Sequence, residues 1–289
     1  MASTEQQLSL FVSDEVPVAA QPESQCVAPF IRDSDVIPVA GVHDLDWAQF
    51  FQERGRIPMI CDDKKPWEYR GWLMYYRVLL EDTGQVGYRW DYWMRTIVAG
   101  QLLDEKIPQL CFSGEDDKSK GMKLVEDWVR LVDRDHGGWS AIGRLFDWLL
   151  WGFGLIPEAP GLSRKLNEEL YRKVDLSPLL IRPYDYFGEW IAMNKGRWNP
   201  HAFFPTPHTL AEAMVRMNMD TGEDMRAKTV CDPAVGSGRM LLHASNFSLR
   251  LYGMDIDAEL VKLTKINGAL YVPWLVRPFP DFFFGQGGA

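Results

Sequence analysis

The stretch of sequence that decides the fold lies near the C-terminal end and reads Val230-Cys231-Asp232-Pro233-Ala234-Val235-Gly236-Ser237-Gly238-Arg239-Met240-Leu241. An apolar strand brings Asp232 to its carboxyl end, and Pro233 ends the strand. Gly236 and Gly238 allow the backbone to turn tightly beside a ligand before a helix begins. This order of strand, glycine-rich turn and helix predicts a cofactor-binding turn at the edge of a parallel sheet.

The segments around this turn extend the pattern into a β-α-β-α unit. Residues 228–232 and 251–257 have the composition of short strands. Residues 236–247 have that of a glycine-rich turn entering a helix, and residues 258–271 that of a second helix. Asp255 follows the second strand, where an acid accepts hydrogen bonds from ribose hydroxyls in dinucleotide sites. The sequence therefore predicts an incomplete α/β, Rossmann-like core. A nicotinamide site, or a turn that serves only strand-to-helix packing, would show the same glycine pattern.

Composition divides the 289-residue chain into three parts. Residues 1–30 are predicted to be a disordered tail, because the first 25 contain no Lys or Arg and are rich in Gln, Ser, Ala and Pro. Residues 40–195 are predicted to form a helical domain of about six helices, because apolar residues recur there at three- and four-residue spacing. Residues 196–289 are predicted to hold the partial Rossmann-like domain.

Aromatic and basic residues alternate between Tyr88 and Arg95. Such a segment is either a base-stacking surface or part of a helical core. Helical periodicity explains the aromatic residues without a ligand, so we favour the core interpretation.

Overall charge and cysteine usage narrow the classes of function. The chain has 31 basic and 40 acidic residues and a net charge of −9, so contact with DNA must be local or made through a partner. Four scattered cysteines without a Cys-x-x-Cys pair suggest neither a metal site nor a disulfide framework. Without an apolar run long enough for a membrane, or a signal peptide, a cytoplasmic location is expected.

Three elements resemble a known family. Residues 232–238 resemble the Asp-Pro-x-x-Gly-Ser-Gly motif of S-adenosylmethionine-dependent DNA adenine methyltransferases. Upstream, Asp185-Tyr186-Phe187-Gly188-Glu189 and Phe203-Phe204-Pro205-Thr206-Pro207 are similar to elements that precede this motif in modification subunits of bacterial type I restriction systems. The resemblance covers about residues 183–285 and implies S-adenosylmethionine as cofactor and DNA as substrate.

The resemblance also implies the contacts of each residue with the cofactor. Phe204, Thr206 and Pro207 would border its methionine end, and Asp255 would hold the ribose. The complete predicted set is Phe204, Thr206, Pro207, Asp232, Pro233, Gly236, Ser237, Gly238, Asp255 and Asp281, the last against the adenine ring.

The catalytic loop of this family has no counterpart in the sequence. Its members use an Asn/Asp/Ser-Pro-Pro-aromatic loop to hold the flipped adenine, and these 289 residues contain no Pro-Pro dipeptide. We therefore assign no catalytic residue and expect a chain that is inactive alone or is half of a split enzyme with a second methyltransferase subunit. A two- or three-stranded sheet also leaves an edge that a partner or the helical domain must cover. The alternative is a non-catalytic, DNA-associated adaptor.

The N-terminal tail carries a separate motif. Gln7-Leu8-Ser9-Leu10-Phe11 matches the Gln-Leu-Ser/Asp-Leu-Phe motif with which bacterial replication and repair proteins dock on the sliding clamp. Leu10 and Phe11 supply adjacent apolar anchors, and Gln7 supplies an amide for polar groups of the groove. The sequence therefore predicts the bacterial sliding clamp as a partner, with a fortuitous apolar patch as the alternative.

Overall fold

A computed structural model describes residues 66–68, 70–82, 87–114, 117–194 and 196–277. The helices of this described part, in chain order, are α1 (Trp72–Asp82), α2 (Arg89–Ala99), α3 (Ser119–Asp133), α4 (Trp139–Gly152), α5 (Arg164–Lys173), α6 (Ser177–Ile181), α7 (Tyr186–Met193), α8 (His208–Met219), α9 (Arg239–Ala244), α10 (Ala258–Tyr271) and α11 (Pro273–Val276). Two strands, β1 (Thr229–Asp232) and β2 (Arg250–Gly253), flank α9. Short 3-10 helices span Pro66–Glu68 and Gly196–Trp198. The predicted tail lies outside the described residues.

The helical part follows the apolar periodicity of the sequence. In α3, the stripe formed by Val125, Trp128, Val129 and Val132 is buried. The described residues up to position 193 hold seven α-helices, one more than expected. The additional helix is α6, which has five residues and a proline in its first turn. It is too short for periodicity to reveal it.

The aromatic residues of α2 belong to the core. Trp90, Tyr92 and Trp93 are fully buried. The indole nitrogen of Trp90 donates to the carbonyl of Ala269 at 3.1 Å, and that of Trp93 to the carbonyl of Arg277 at 2.9 Å. The core interpretation is confirmed, and these side chains do not form a base-stacking surface.

The two strands form a parallel pair joined through α9. Thr229 lies opposite Arg250, and Asp232 lies opposite Gly253. The second strand ends at Gly253, four residues before the predicted end at position 257, because β1 also ends there and the chain turns toward α10. The described part is thus mostly helical with a small parallel sheet, as in a partial α/β fold. Two strands do not by themselves establish a complete Rossmann-like core.

The helical part and the sheet share one core. Buried apolar side chains from Trp67 to Trp274 form a continuous cluster. Helix α4 packs against α10, where the ammonium of Lys262 lies 2.8 Å from a carboxylate oxygen of Asp147. Arg77 of α1 forms a buried ion pair with Glu81 and donates to the carbonyl of Leu270 at 3.0 Å. The domain boundary at residue 195 stays a prediction, since the core is continuous across it.

Several sequence expectations concern membranes, metals and cysteines. Among the described residues, no helix has the length and apolar character needed to cross a bilayer. The same residues include no group of three His, Cys, Asp or Glu side chains placed to hold a metal ion. Cys231 is a free thiol, whereas Cys111 is disulfide-bonded, which the scattered spacing did not predict.

Candidate cofactor site

The glycine-rich turn joins the carboxyl ends of both strands. The amide of Met254 donates to the carbonyl of Asp232 at 2.9 Å, and the amide of Val235 donates back to the carbonyl of Met254 at 2.8 Å. These bonds extend the strand pairing into the loops that follow β1 and β2. The predicted cofactor turn and the predicted ribose acid therefore lie side by side, as the β-α-β pattern requires.

Two glycines of the turn have backbone angles that other residues rarely adopt. Gly236 has φ of 55° and Gly238 has φ of 90°. A Cβ on Gly236 would lie 2.9 Å from a ring carbon of Phe203, and a Cβ on Gly238 would lie 3.2 Å from the methyl group of Thr264. Glycine is needed at both positions because the backbone turns there and neighbouring side chains occupy the adjacent space.

Two carboxylates border this turn. Asp255 accepts from the amide of Gly236 at 2.8 Å and from the amide of Asp257 at 2.9 Å. Asp232 accepts from the amide of Ala234 at 3.1 Å. Burial raises the pKa of Asp232, and the nearby charge of Asp255 raises it further. A positively charged ligand placed between them would relieve this repulsion.

The Phe-Phe-Pro-Thr-Pro segment reaches the turn through Phe203, which is not among the predicted site residues. The ring of Phe203 lies against Gly236, whereas the Phe204 side chain is 73% exposed. The carbonyl of Thr206 accepts from Arg239 of α9 at 3.2 Å, which joins the segment to the turn. Pro207 directly precedes α8. Two adjacent phenylalanines cannot be told apart from sequence, because the backbone path decides which ring faces the turn.

Two exposed apolar residues beside Asp255 are also absent from the predicted site residues. Ile256 is fully exposed, and Met254 is 59% exposed. Exposed large aliphatic side chains next to a carboxylate offer an apolar surface to an aromatic ring of a ligand whose hydroxyl groups bind to that carboxylate. The alternation of apolar and acidic residues from 254 to 257 was the available signal.

The residue that caps the N-terminus of α7 contributes a buried carboxylate behind the turn. Asp185 accepts from the Ser237 hydroxyl, from Arg239 at 2.8 Å and from the Asn267 amide at 2.9 Å. Asp185 belongs to the family-like motif at residues 185–189 but is not among the predicted site residues. Asp281 and the clamp motif at residues 7–11 lie outside the described residues.

The arrangement of the turn and the two carboxylates defines a class of protein. A parallel strand pair with a glycine-rich turn after the first strand and an acid after the second is typical of proteins that bind a ribose-containing cofactor. Residues 179–271 match the family model described as N-6 DNA methylase. The predicted resemblance to a methyltransferase family is confirmed for this segment, which also includes Asp185.

A tRNA methyltransferase shares part of the sequence. Over 65 residues the chain is 37% identical to the tRNA (guanine(10)-N2)-dimethyltransferase of Pyrococcus abyssi (strain GE5 / Orsay). This stretch is 22% of the chain and 18% of that relative. The chain therefore spans about a fifth of the length of the curated relative that it matches. No solved structure matches the chain.

Proposed function

We propose that the chain binds S-adenosylmethionine between the glycine-rich turn and Asp255, and that it methylates adenine in DNA only together with a second polypeptide. The observation that carries this proposal is the direct contact between the turn and the acid, the Gly236 amide to the Asp255 carboxylate at 2.8 Å, within a segment that matches the N-6 DNA methylase family. S-adenosylmethionine supplies a methyl group on a positively charged sulfur.

Each part of the site suits one part of this cofactor. Asp255 accepts hydrogen bonds from the ribose hydroxyls, and the exposed side chain of Ile256 covers the adenine ring. Asp232, whose pKa is raised by burial and by Asp255, stabilises the positive charge of the sulfonium or ammonium group. The positive φ of Gly236 and Gly238 lets the backbone turn tightly next to the two carboxylates.

We expect the substitution Asp255→Ala to weaken S-adenosylmethionine binding by about 1 to 3 kcal/mol, the usual cost of losing hydrogen bonds to a charged group. Titration calorimetry on the purified chain measures this change. The matched control is Asp220→Ala, at an exposed carboxylate that pairs with Arg216 on α8, and its affinity should equal that of wild type. Absence of binding by the unmodified chain would refute the cofactor assignment.

The need for a second polypeptide is supported by one edge of β1, which no strand of the described residues covers. Along a parallel strand, successive residues direct their backbone amide and carbonyl groups alternately toward one neighbouring strand and the other. In β1 the carbonyl of Asp232 faces β2. The amides and carbonyls of Thr229 and Cys231 therefore point to the opposite edge, where no described strand pairs with them. An unpaired edge of this kind is a surface for an added strand.

Helix α8 presents a second exposed surface that suits a partner protein. Leu210, Met214 and Met217 recur at helical spacing and are all exposed, Met217 by 81%. An apolar stripe on a solvent-facing helix suits a packed partner. We propose that a methyltransferase subunit carrying the Pro-Pro-aromatic loop covers this stripe and pairs with β1.

The chain by itself is expected not to methylate DNA, because its sequence has no loop to hold the adenine amine. Transfer of labelled methyl groups to duplex DNA of mixed sequence measures this activity. Transfer that is abolished by Asp232→Ala would contradict the proposal and would require a different catalytic loop. If the unmodified chain binds the cofactor but transfers no methyl group, an enzyme that acts alone is excluded.

A non-catalytic adaptor recruited by the sliding clamp is the second candidate, and the complete match of residues 7–11 to the clamp-binding motif favours it. A peptide of residues 1–17 is expected to bind a bacterial sliding clamp with modest affinity, because a short free peptide loses conformational entropy on binding. Changing Leu10 and Phe11 to Ala should remove binding, since they fill the apolar pockets. Changing Thr4 and Glu5 to Ala is the control and should have little effect. Unaltered affinity after the Leu10 and Phe11 changes would show that the motif is accidental.

A further inference from the structure

We infer that Asp185 is a positioning residue of the cofactor site, which holds the glycine-rich turn in its binding conformation from behind. The inference rests on the proposed cofactor site, because it concerns how that site is kept in shape. Asp185 belongs to the loop before α7, 52 residues away from Ser237 in sequence. It is fully buried, with an exposed fraction of 0%.

Both oxygens of this carboxylate accept hydrogen bonds, and the donors come from three parts of the fold. One oxygen accepts from the amide of Gly188 at 3.0 Å and from the side-chain amide of Asn267 at 2.9 Å. The other accepts from the Ser237 hydroxyl and from the guanidinium of Arg239 at 2.8 Å. A single side chain therefore connects α7, the glycine-rich turn with α9, and α10.

A buried carboxylate is tolerated here because it is paired. The side chain of Arg239 is only 6% exposed and is the cationic partner of Asp185. The same guanidinium contacts Glu189 at 2.7 Å and the carbonyl of Thr206 at 3.2 Å. Removing the negative charge of Asp185 would leave Arg239 buried with Glu189 as its remaining carboxylate in direct contact.

Helix α10 holds the backbone of the turn in the same way. The hydroxyl of Thr264 donates to the carbonyl of Gly236 at 2.8 Å. The side-chain amide of Asn267 donates to the carbonyl of Ser237, also at 2.8 Å, and is itself oriented by Asp185. Two carbonyls and one hydroxyl of the turn are thus bound to neighbouring side chains.

Such anchoring lowers the cost of binding, because a turn that is already ordered loses little entropy when the ligand arrives. Asp185 is neither part of the turn nor the predicted ribose-binding acid. It therefore acts on the cofactor site through Ser237, Arg239 and Asn267. Its neutral isostere should keep the fold, because the amide has the same shape and one accepting oxygen. Its NH2 group, however, cannot accept from both Ser237 and Arg239.

The test compares Asp185→Asn with wild type in the full chain. S-adenosylmethionine affinity is expected to fall about 10- to 100-fold by calorimetry. Amide hydrogen exchange of residues 234–239 in the cofactor-free protein is expected to accelerate by about 10-fold or more, while amides of α3 and α4 exchange at the wild-type rate. A merely structural role would accelerate exchange in the turn and in these helices together.

The matched control is Asp147→Asn, which removes a carboxylate that also contacts α10 but lies away from the turn, at Lys262. It should leave affinity and turn exchange unchanged. If wild type binds the cofactor and Asp185→Asn binds equally well, the positioning role is wrong and the cofactor site stands. If wild type does not bind, the proposed function fails, and the exchange measurement alone decides whether Asp185 orders the turn.

Discussion

The substitution Arg89→Ala is expected to lower the free energy of unfolding by about 3 to 5 kcal/mol, because it opens a cavity and leaves buried acceptors unpaired. Arg89 lies in α2 and is fully buried. Its guanidinium donates to the carbonyl of Pro108 at 2.7 Å, to the Ser245 hydroxyl at 2.7 Å and to the carbonyl of Tyr271 at 3.2 Å. It also contacts the side-chain oxygen of Asn246 and lies over the ring of Trp274.

The partners of Arg89 connect two parts of the chain. Ser245 and Asn246 follow α9, and Tyr271 ends α10, so Arg89 ties the helical part to the elements that carry the cofactor turn. Burial lowers the pKa of Arg89 to about 9, so the group retains its charge at neutral pH. We therefore expect the helical part and the methyltransferase segment to unfold in one transition.

Denaturant unfolding at pH 7 measures the effect, with Arg130→Ala as the control. Arg130 is on the exposed face of α3, where it pairs with Glu126, and its loss should cost less than about 1 kcal/mol. A change below 1 kcal/mol for Arg89→Ala, or two separate transitions in wild type, would show that the helical part is an independent unit.

Acidification is the second change with a large expected effect. We expect the free energy of unfolding to fall by about 3 to 4 kcal/mol between pH 7 and pH 5 through His208 and His243 alone. His208 is the first residue of α8 and His243 lies in α9, and their rings share a hydrogen bond of 3.0 Å between Nδ1 and Nε2. Both side chains are buried.

The direction follows from the pKa of each ring. Burial lowers the pKa of His208 to about 2, with the charges of Arg239, His243 and Lys118 acting in the same direction. Burial likewise lowers the pKa of His243 to about 4. Both histidines take up protons in the unfolded chain below about pH 6.5, whereas in the folded chain they stay neutral to a lower pH. Their contribution to the free energy of unfolding is therefore fully present above about pH 6.5 and is lost as the pH falls. Each histidine costs about 1.4 kcal/mol per pH unit in this window.

The paired variant His208→Phe with His243→Leu removes both titrating groups. Its stability is expected to change between pH 7 and pH 5 by about 3 to 4 kcal/mol less than that of wild type, in urea titrations at each pH. Equal pH dependence of the two proteins would contradict the buried neutral pair. If the variant does not fold, titration of the imidazole resonances of wild type by NMR gives the two pKa values directly.

The local chemistry of the chain was sufficient to predict the strand, the glycine-rich turn and the helices around the candidate site. Residues 258–271 form α10 with the predicted bounds, and the strand before the turn differs from its predicted range by one residue. Gly236 and Gly238 adopt the positive φ that a tight turn needs. These features depend on neighbouring residues, namely apolar runs, a proline that ends a strand and glycines without a Cβ.

What the tertiary structure alone decided is which distant groups contact the glycine-rich turn and the helix that follows it. Asp185 reaches Ser237 across 52 residues, and Arg89 reaches Ser245 across 156. Phe203 rather than Phe204 faces the turn because the path of the preceding loop orients the ring. Composition and periodicity describe how a segment folds on itself. The pairing of buried charges and rings from separate segments depends on how the helices pack, because burial requires each polar group to find a partner.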